Sequence, residues 1–211
     1  VCAASEGLGK AAALELAKEG STIAISSRNK EKLELAKNEI SSETGSEVKI
    51  YEADLTSEDQ IINLYKQVQT DLGEVEILVN NIGGPPPGSF ESLSDQDWQD
   101  ALNLTMLSAI RMSRTVLPQM KVNGWGRIIN ISSVSVKTPV NSLFLSNSIR
   151  LGVLGWAKAL SDEVAEHGIT VNSVCPGMTR TNRISDINSK ISEKSGMPME
   201  EVEKNSSQSI P

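Results

Sequence analysis

Short runs of β-branched and aliphatic residues alternate with longer stretches whose apolar side chains recur at helical spacing, and this alternation constrains the fold more than any other feature of the chain. Residues 22–26, 48–53, 76–80, 127–131 and 169–174 read as strands, and Val1 reads as the middle of another. Between them, residues 59–72 carry Ile61, Ile62, Leu64, Tyr65 and Val68 on one helical stripe, and residues 143–165 carry Leu151, Leu154, Leu160 and Val164 on a second. These stripes are core packing. Six strands alternating with helices predict an α/β fold, a parallel sheet covered on both faces with ligands bound beyond the carboxyl ends of its strands. No internal repeat and no second domain is expected, so residues 1–211 form one domain. Within it, the segment at about 184–211, rich in Ser, Glu, Lys and Met, reads as mobile helices and loop.

The run Ala3-Ala4-Ser5-Glu6-Gly7-Leu8-Gly9 lies where the first strand gives way to a helix beginning at about Lys10. Gly7 and Gly9 remove side chains where backbone must approach a dinucleotide pyrophosphate, and the helix aims its first N–H groups at that charge. The strand at residues 22–26 completes a strand–helix–strand unit of the length a right-handed crossover requires. Pro85-Pro86-Pro87-Gly88 cannot continue a helix or a central strand. It marks a loop at the carboxyl end of residues 76–80, shaping a pocket wall on the nucleotide side.

A net charge of −7 argues against nucleic acid as a partner, because phosphate contacts need a Lys/Arg face. No apolar run is long enough to span a membrane. Cys2 and Cys175 lack metal-ligand spacing and suit a reducing compartment, so the expected location is cytoplasmic and no metal is expected.

These segments together resemble the short-chain dehydrogenase/reductase family, particularly its 3-oxoacyl-[acyl-carrier-protein] reductase-like branch, over essentially the whole chain. The resemblance implies a Rossmann-type doubly wound parallel sheet in three α/β/α layers. It sets Ala3 at the family's first glycine, with Ser5, Gly7, Leu8 and Gly9 completing the cofactor loop, and Asp54-Leu55 at the adenine-contacting pair. Asn80-Asn81-Ile82-Gly83 is similar to the Asn-Asn-Ala-Gly element, which puts Asn81, Ile82 and Gly83 beside the cofactor. The loop Pro176-Gly177-Met178-Thr179-Arg180-Thr181 resembles the one that closes over the nicotinamide, giving Pro176, Gly177, Thr179 and Thr181 cofactor roles. It further implies a segment before Val1, and a helix and last strand beyond Ser209-Ile210-Pro211 that this sequence lacks. A homo-dimer or homo-tetramer is the expected assembly.

The end of the second expected strand decides the cofactor. An acidic side chain there would accept hydrogen bonds from the ribose 2′-OH of NAD, whereas this chain has Ser27 followed by Arg28, which favour a 2′-phosphate, so NADP(H) is expected in preference to NAD(H). The family's catalytic residues are Asn, Ser, Tyr and Lys, and here the match is incomplete. Ser133 stands at the Ser position; counting onward without gaps puts Ser146 at the Tyr position and Arg150 at the Lys position, and counting from Trp98 puts Thr105 at the Asn position. Tyr51 and Tyr65 lie elsewhere, and His167 reads as a surface turn.

A carbonyl reduced by hydride needs a proton, and a serine hydroxyl is a weak acid. Arg150 stays protonated, able to hold ribose hydroxyls and negative charge without giving up its own proton. Lys137, in the loop after Ser133, becomes an acid if desolvated. Two readings follow: an NADP(H)-dependent oxidoreductase acting on a small carbonyl or alcohol, a 3-oxoacyl thioester among the candidates, and an NADP(H)-binding sensor or non-catalytic subunit on the same fold.

Overall fold

In a computed structural model, residues 1–179 and 181–208 are described. The chain divides into two compact units, Val1–Cys175 and Pro176–Pro211.

In the first unit the order is α1 (Gly7–Lys18), β1 (Ile23–Ser27), α2 (Lys30–Thr44), β2 (Val48–Glu52), α3 (Glu58–Leu72), β3 (Ile77–Asn80), α4 (Asp95–Leu102), α5 (Ser108–Asn123), β4 (Gly126–Ile131), α6 (Phe144–Val164) and β5 (Ile169–Val174). The expected strand and helix segments lie within a few residues of these bounds. Local chemistry sets several ends. Asn29 caps α2 by accepting from the Lys32 N–H at 2.8 Å, and Ser94 with Asp97 forms a reciprocal capping box on α4. Between α4 and α5 the helix widens into one π turn, Asn103–Leu107, which holds Thr105.

All pairings are parallel: β1 with β2, and β3, β4 and β5 in that order. The expectation of six strands is corrected, since five regular strands form among the described residues. Residues 1–4 instead link the two groups. The Cys2 N–H donates to the Val79 carbonyl at 3.0 Å, and the Ala4 N–H donates to the Ser26 carbonyl at 3.0 Å. Ala3, at φ +43°, turns into the left-handed region, so the ladder ends after too few bonds to count as a strand.

Two apolar clusters hold the layers together. Ala13 and Ala17 of α1, with Leu33, Ala36 and Ile40 of α2, pack on Ile23, Ile25 and Val48. Ile61, Leu64 and Val68 of α3, Met112, Val116 and Met120 of α5 and Val164 of α6 enclose Leu78, Ile128, Ile169 and Val171. Each fully buried Leu or Ile contributes about 1.5–3 kcal/mol, so these helical stripes supply most of the driving force. Parallel strands with helices on both faces make the three-layer α/β/α sandwich that the sequence implied.

A cleft of about 460 Å³ runs between the amino-terminal halves of β1 and β3, lined in part by Tyr51 and Tyr65. Both phenols are engaged there: Tyr51 donates to Asp71 at 3.0 Å and Tyr65 to Glu74 at 3.3 Å.

The second unit carries α7 (Asn182–Ser195) and α8 (Met199–Gln208), where the sequence read as mobile helices and loop. Gly196, at φ +70°, ends α7 by donating to the Ser192 carbonyl at 2.9 Å, and the Ser192 hydroxyl donates to the Met197 carbonyl at 2.6 Å.

Candidate active site

The carboxyl ends of the strands and the first turn of α1 build the candidate site. α1 begins at Gly7, three residues before its expected start, because Gly7 adopts φ +58° and turns the chain directly into the helix. No acidic residue occupies its first turn and its N-cap side chain makes no capping bond, leaving the positive end of the helix suited to an anion. Glu6 is held aside by an ion pair to Lys32 at 3.0 Å.

Gly9 answers a packing demand. A Cβ there would lie 2.6 Å from the Ala3 carbonyl oxygen and 2.6 Å from Asn81 Nδ2. Asn81 in turn donates to the carbonyls of Cys2 at 3.3 Å and Ala3 at 3.0 Å, tying the end of β3 to the loop. The glycine lets helix, loop and strand meet, a packing role that the sequence reading did not assign. Ser5 lies in the bend before α1, Leu8 in its first turn, and Gly83 is exposed with open space around it.

At the end of β1 the Ser27 hydroxyl makes a local turn, accepting from the Asn29 N–H at 3.2 Å, while Arg28 is exposed. Asp54 accepts from the N–H of Thr56 at 2.9 Å and from its hydroxyl at 2.8 Å. The Thr56 N–H first, then its hydroxyl and the positive charge of Arg28, hold the Asp54 carboxyl below the usual carboxylate range. Arg28 and Asp54 thus belong to one end of the sheet. Leu55 is buried in the core beside them, so its side chain is a packing residue.

The residues at the catalytic positions separate into a buried group and an exposed one. Thr105, Ser146 and Arg150 are 4%, 7% and 8% exposed. Arg150 Nη1 donates to the carbonyls of Ile131 at 2.9 Å and Ser132 at 3.2 Å, and Nη2 to that of Ile82 at 3.5 Å. The guanidinium is therefore bound to the backbone that ends β3 and β4. Ser133 Oγ accepts from the Ser135 N–H at 3.1 Å, which leaves its own proton to donate outward. Lys137 is exposed on the loop beyond it. Thr105 and Arg150 line one cavity of about 10 Å³ with Asn80, Ile82, Ala109, Asn130, Ile131 and Val153. Asn103 turns elsewhere, donating to the Thr56 carbonyl at 3.3 Å and accepting from Arg111 at 2.6 Å.

Two features escaped the sequence reading. Asn130 interrupts the run Ile128-Ile129-Asn130-Ile131 and Asn80 ends β3; both are buried, and a polar residue inside such an apolar strand was the available signal. Phe90 and Phe144, the only phenylalanines of the chain, come together where the loop after β3 reaches the start of α6, with ring centroids 5.9 Å apart. Nothing in either local sequence pairs them.

Pro176, Gly177, Thr179 and Thr181 fall in the second compact unit, where the Thr181 carbonyl accepts from the Ile184 N–H at 2.9 Å. Arg180, and Ser209-Ile210-Pro211, lie outside the described residues.

A parallel α/β sheet whose opening helix presents a glycine-supported N-terminus defines a dinucleotide-binding class of protein. The family model described as short chain dehydrogenase matches residues 1–192. Nodulation protein G of Rhizobium sp. (strain N33) is 34% identical over 192 residues, covering 90% of this chain and 76% of that protein. "NADPH-dependent reductase BacG" of Bacillus subtilis (strain 168) is 27% identical over 212 residues, covering 100% of this chain and 82% of that one. A crystal structure of actinorhodin polyketide ketoreductase with NADPH superposes with a TM-score of 0.90 at 33% identity, over 95% of this chain and 77% of the other. The chain belongs to the short-chain dehydrogenase family and is an oxidoreductase of that family. Among the described residues no helix is long and apolar enough to cross a membrane.

Proposed function

We propose that the protein is an NADP(H)-dependent oxidoreductase that interconverts a small carbonyl compound and its alcohol with the family's Tyr and Lys replaced by Ser146 and Arg150. The observation that carries this reading is the nucleotide end of the site: Gly7 and Gly9 at the N-terminus of α1, and Arg28, not a carboxylate, after β1 and close enough to Asp54 to depress its pKa. Ser5, Gly7, Leu8 and Gly9 would hold the pyrophosphate, Ser27 and Arg28 the 2′-phosphate, Asp54 and Leu55 the adenine side, and Asn81, Ile82 and Gly83 the nicotinamide side.

NADP(H), when bound, would supply the hydride. The chain's own residues orient the carbonyl and handle the proton. Ser133 donates a hydrogen bond to the substrate oxygen, Arg150 fixes a permanent positive charge at the ends of β3 and β4, and Thr105 and Ser146 complete the polar floor. Lys137 is the proposed proton donor, acting once substrate shields it from water. The partners in this reading are a second copy of the chain, as a homo-dimer or homo-tetramer, and a small carbonyl substrate; the location is cytoplasmic. A 3-oxoacyl thioester belongs in the substrate panel because the chain is 29% identical over 194 residues to 3-oxoacyl-[acyl-carrier-protein] reductase FabG of Aquifex aeolicus (strain VF5).

A second reading, an NADP(H)-binding sensor or non-catalytic subunit, is favoured by Arg150, whose guanidinium is buried and bound to backbone carbonyls. One set of experiments separates the two. NADPH and NADH are titrated by nicotinamide fluorescence with the wild type and Arg28→Ala, and NADPH oxidation is followed against quinones, sugars and 3-oxoacyl thioesters. Tighter NADPH binding, lost in Arg28→Ala, with turnover lowered about 10²- to 10⁴-fold in Lys137→Ala, is the result expected of the enzyme. Tight NADPH binding without turnover of any carbonyl class selects the sensor, and equal cofactor affinities overturn the reading of Arg28.

A further inference from the structure

The floor of the site, to which Thr105 belongs, contains two further buried polar residues, Asn80 and Asn130, that the proposed reaction does not use. Asn80, Thr105 and Asn130 are 3%, 4% and 1% exposed, and all three line the cavity of about 10 Å³ between β3, β4 and the π turn. Asn80 Nδ2 donates to Ser113 Oγ at 3.0 Å and to Asn130 Oδ1 at 3.0 Å. Asn80 Oδ1, Asn130 Nδ2 and Thr105 Oγ1 then have no protein partner among the described residues.

Those three atoms form a complementary set: one acceptor, one donor, and one hydroxyl able to play either part. Buried polar atoms rarely remain unpaired, and a polar cavity with room for one water centre and two to four polar neighbours is where proteins keep an internal water. The remaining walls, Ala109, Val153 and the side chains of Ile82 and Ile131, are apolar and offer the three atoms no substitute.

We infer that this cavity is the binding site of a single structural water, which accepts from Asn130 Nδ2 and Thr105 Oγ1 and donates to Asn80 Oδ1. The water joins the carboxyl ends of β3 and β4 to the π turn. Arg150 lines the same cavity, and the carbonyls that hold it follow these two asparagines in sequence. The water is thus a positioning element beneath the catalytic pocket, and the inference stands whether or not the pocket turns over a carbonyl.

The test reads the water directly. In solution, nuclear Overhauser transfer from water to the Asn130 side-chain amide is measured in the wild type, Thr105→Ser and Thr105→Val, with the backbone amide spectrum reporting the fold. The expected result is a cross-peak in the wild type and Thr105→Ser and its loss in folded Thr105→Val, where one of three partners is gone. An unchanged cross-peak in Thr105→Val overturns the assignment of Thr105 as a ligand. Should Thr105→Val not fold, a high-resolution crystal structure of the wild type decides. One ordered water within hydrogen-bond distance of all three atoms supports the site, whereas empty density or asparagine amides rotated to pair with each other refutes it.

Discussion

Replacing Gly9 by alanine tests whether this glycine serves the packing of α1. Two effects of opposite sign compete. Alanine in a helix is favoured over glycine by about 0.5–1 kcal/mol through the lower entropy of the unfolded chain. Against this, the new Cβ would lie 2.6 Å from the Ala3 carbonyl oxygen, 2.6 Å from Asn81 Nδ2 and 2.9 Å from Ala4 Cα. Two of those atoms are backbone, so relief requires the loop to move. Overpacking of this kind costs about 1–3 kcal/mol. Displacing Asn81 also weakens its bond to Ala3, now 3.0 Å, and losing that bond costs about 1 kcal/mol more. The clash prevails: Gly9→Ala should lose about 2 kcal/mol, a fall in Tm of about 6 °C for a chain of this size. Gly155 provides the control, because it lies in α6, is exposed, and a Cβ there meets nothing within 4 Å. Gly155→Ala should raise stability by about 0.5–1 kcal/mol. The assay is reversible urea unfolding followed by circular dichroism, with thermal melts alongside. If Gly9→Ala is stabilised as Gly155→Ala is, the packing argument is refuted.

Ala3→Gly should stabilise the fold by about 0.5–1 kcal/mol in the same assay, since the φ of +43° strains alanine by more than glycine adds in unfolded-state entropy. Arg150→Ala should cost about 2–4 kcal/mol by orphaning the carbonyls of Ile131 and Ser132, and the urea midpoint of Arg150→Lys should fall between the two. Asp54 has a folded-state pKa below its unfolded value, so its contribution is fully present above about pH 4 and is lost as pH falls through the folded pKa. Urea midpoints measured from pH 6 downward should therefore drop less steeply on the acid side in Asp54→Asn than in the wild type.

The fold was legible because it rests on local periodicity. Alternating apolar runs and helical stripes forced parallel strands under two helical layers, and the strand segments fell close to their expected positions. The tight turn into α1 was legible for a related reason: a turn that needs Gly7 at positive φ writes its requirement into consecutive residues. The departure of residues 1–4 from a regular strand was not, since Ala3 carries no residue-type signal for φ +43°.

Other features depended on residues distant in sequence. Gly9 has its packing role only because Asn81 lies against the loop, and Phe90 meets Phe144 only because the loop after β3 reaches the start of α6. Arg150 could be read as a cation at the lysine position, but that its guanidinium is spent on the carbonyls of Ile82, Ile131 and Ser132 follows from where β3, β4 and α6 converge. The unpaired atoms of Asn80, Thr105 and Asn130 emerge from the same convergence. Sequence alone determined which segments become strands and which become helices and where the chain turns into α1, because short-range periodicity and backbone conformation fix both. Only the tertiary structure decided which polar groups are satisfied, because a buried hydrogen bond depends on partners distant in sequence, as when Arg150 reaches Ser132, 18 residues away, and Ile82, 68 residues away.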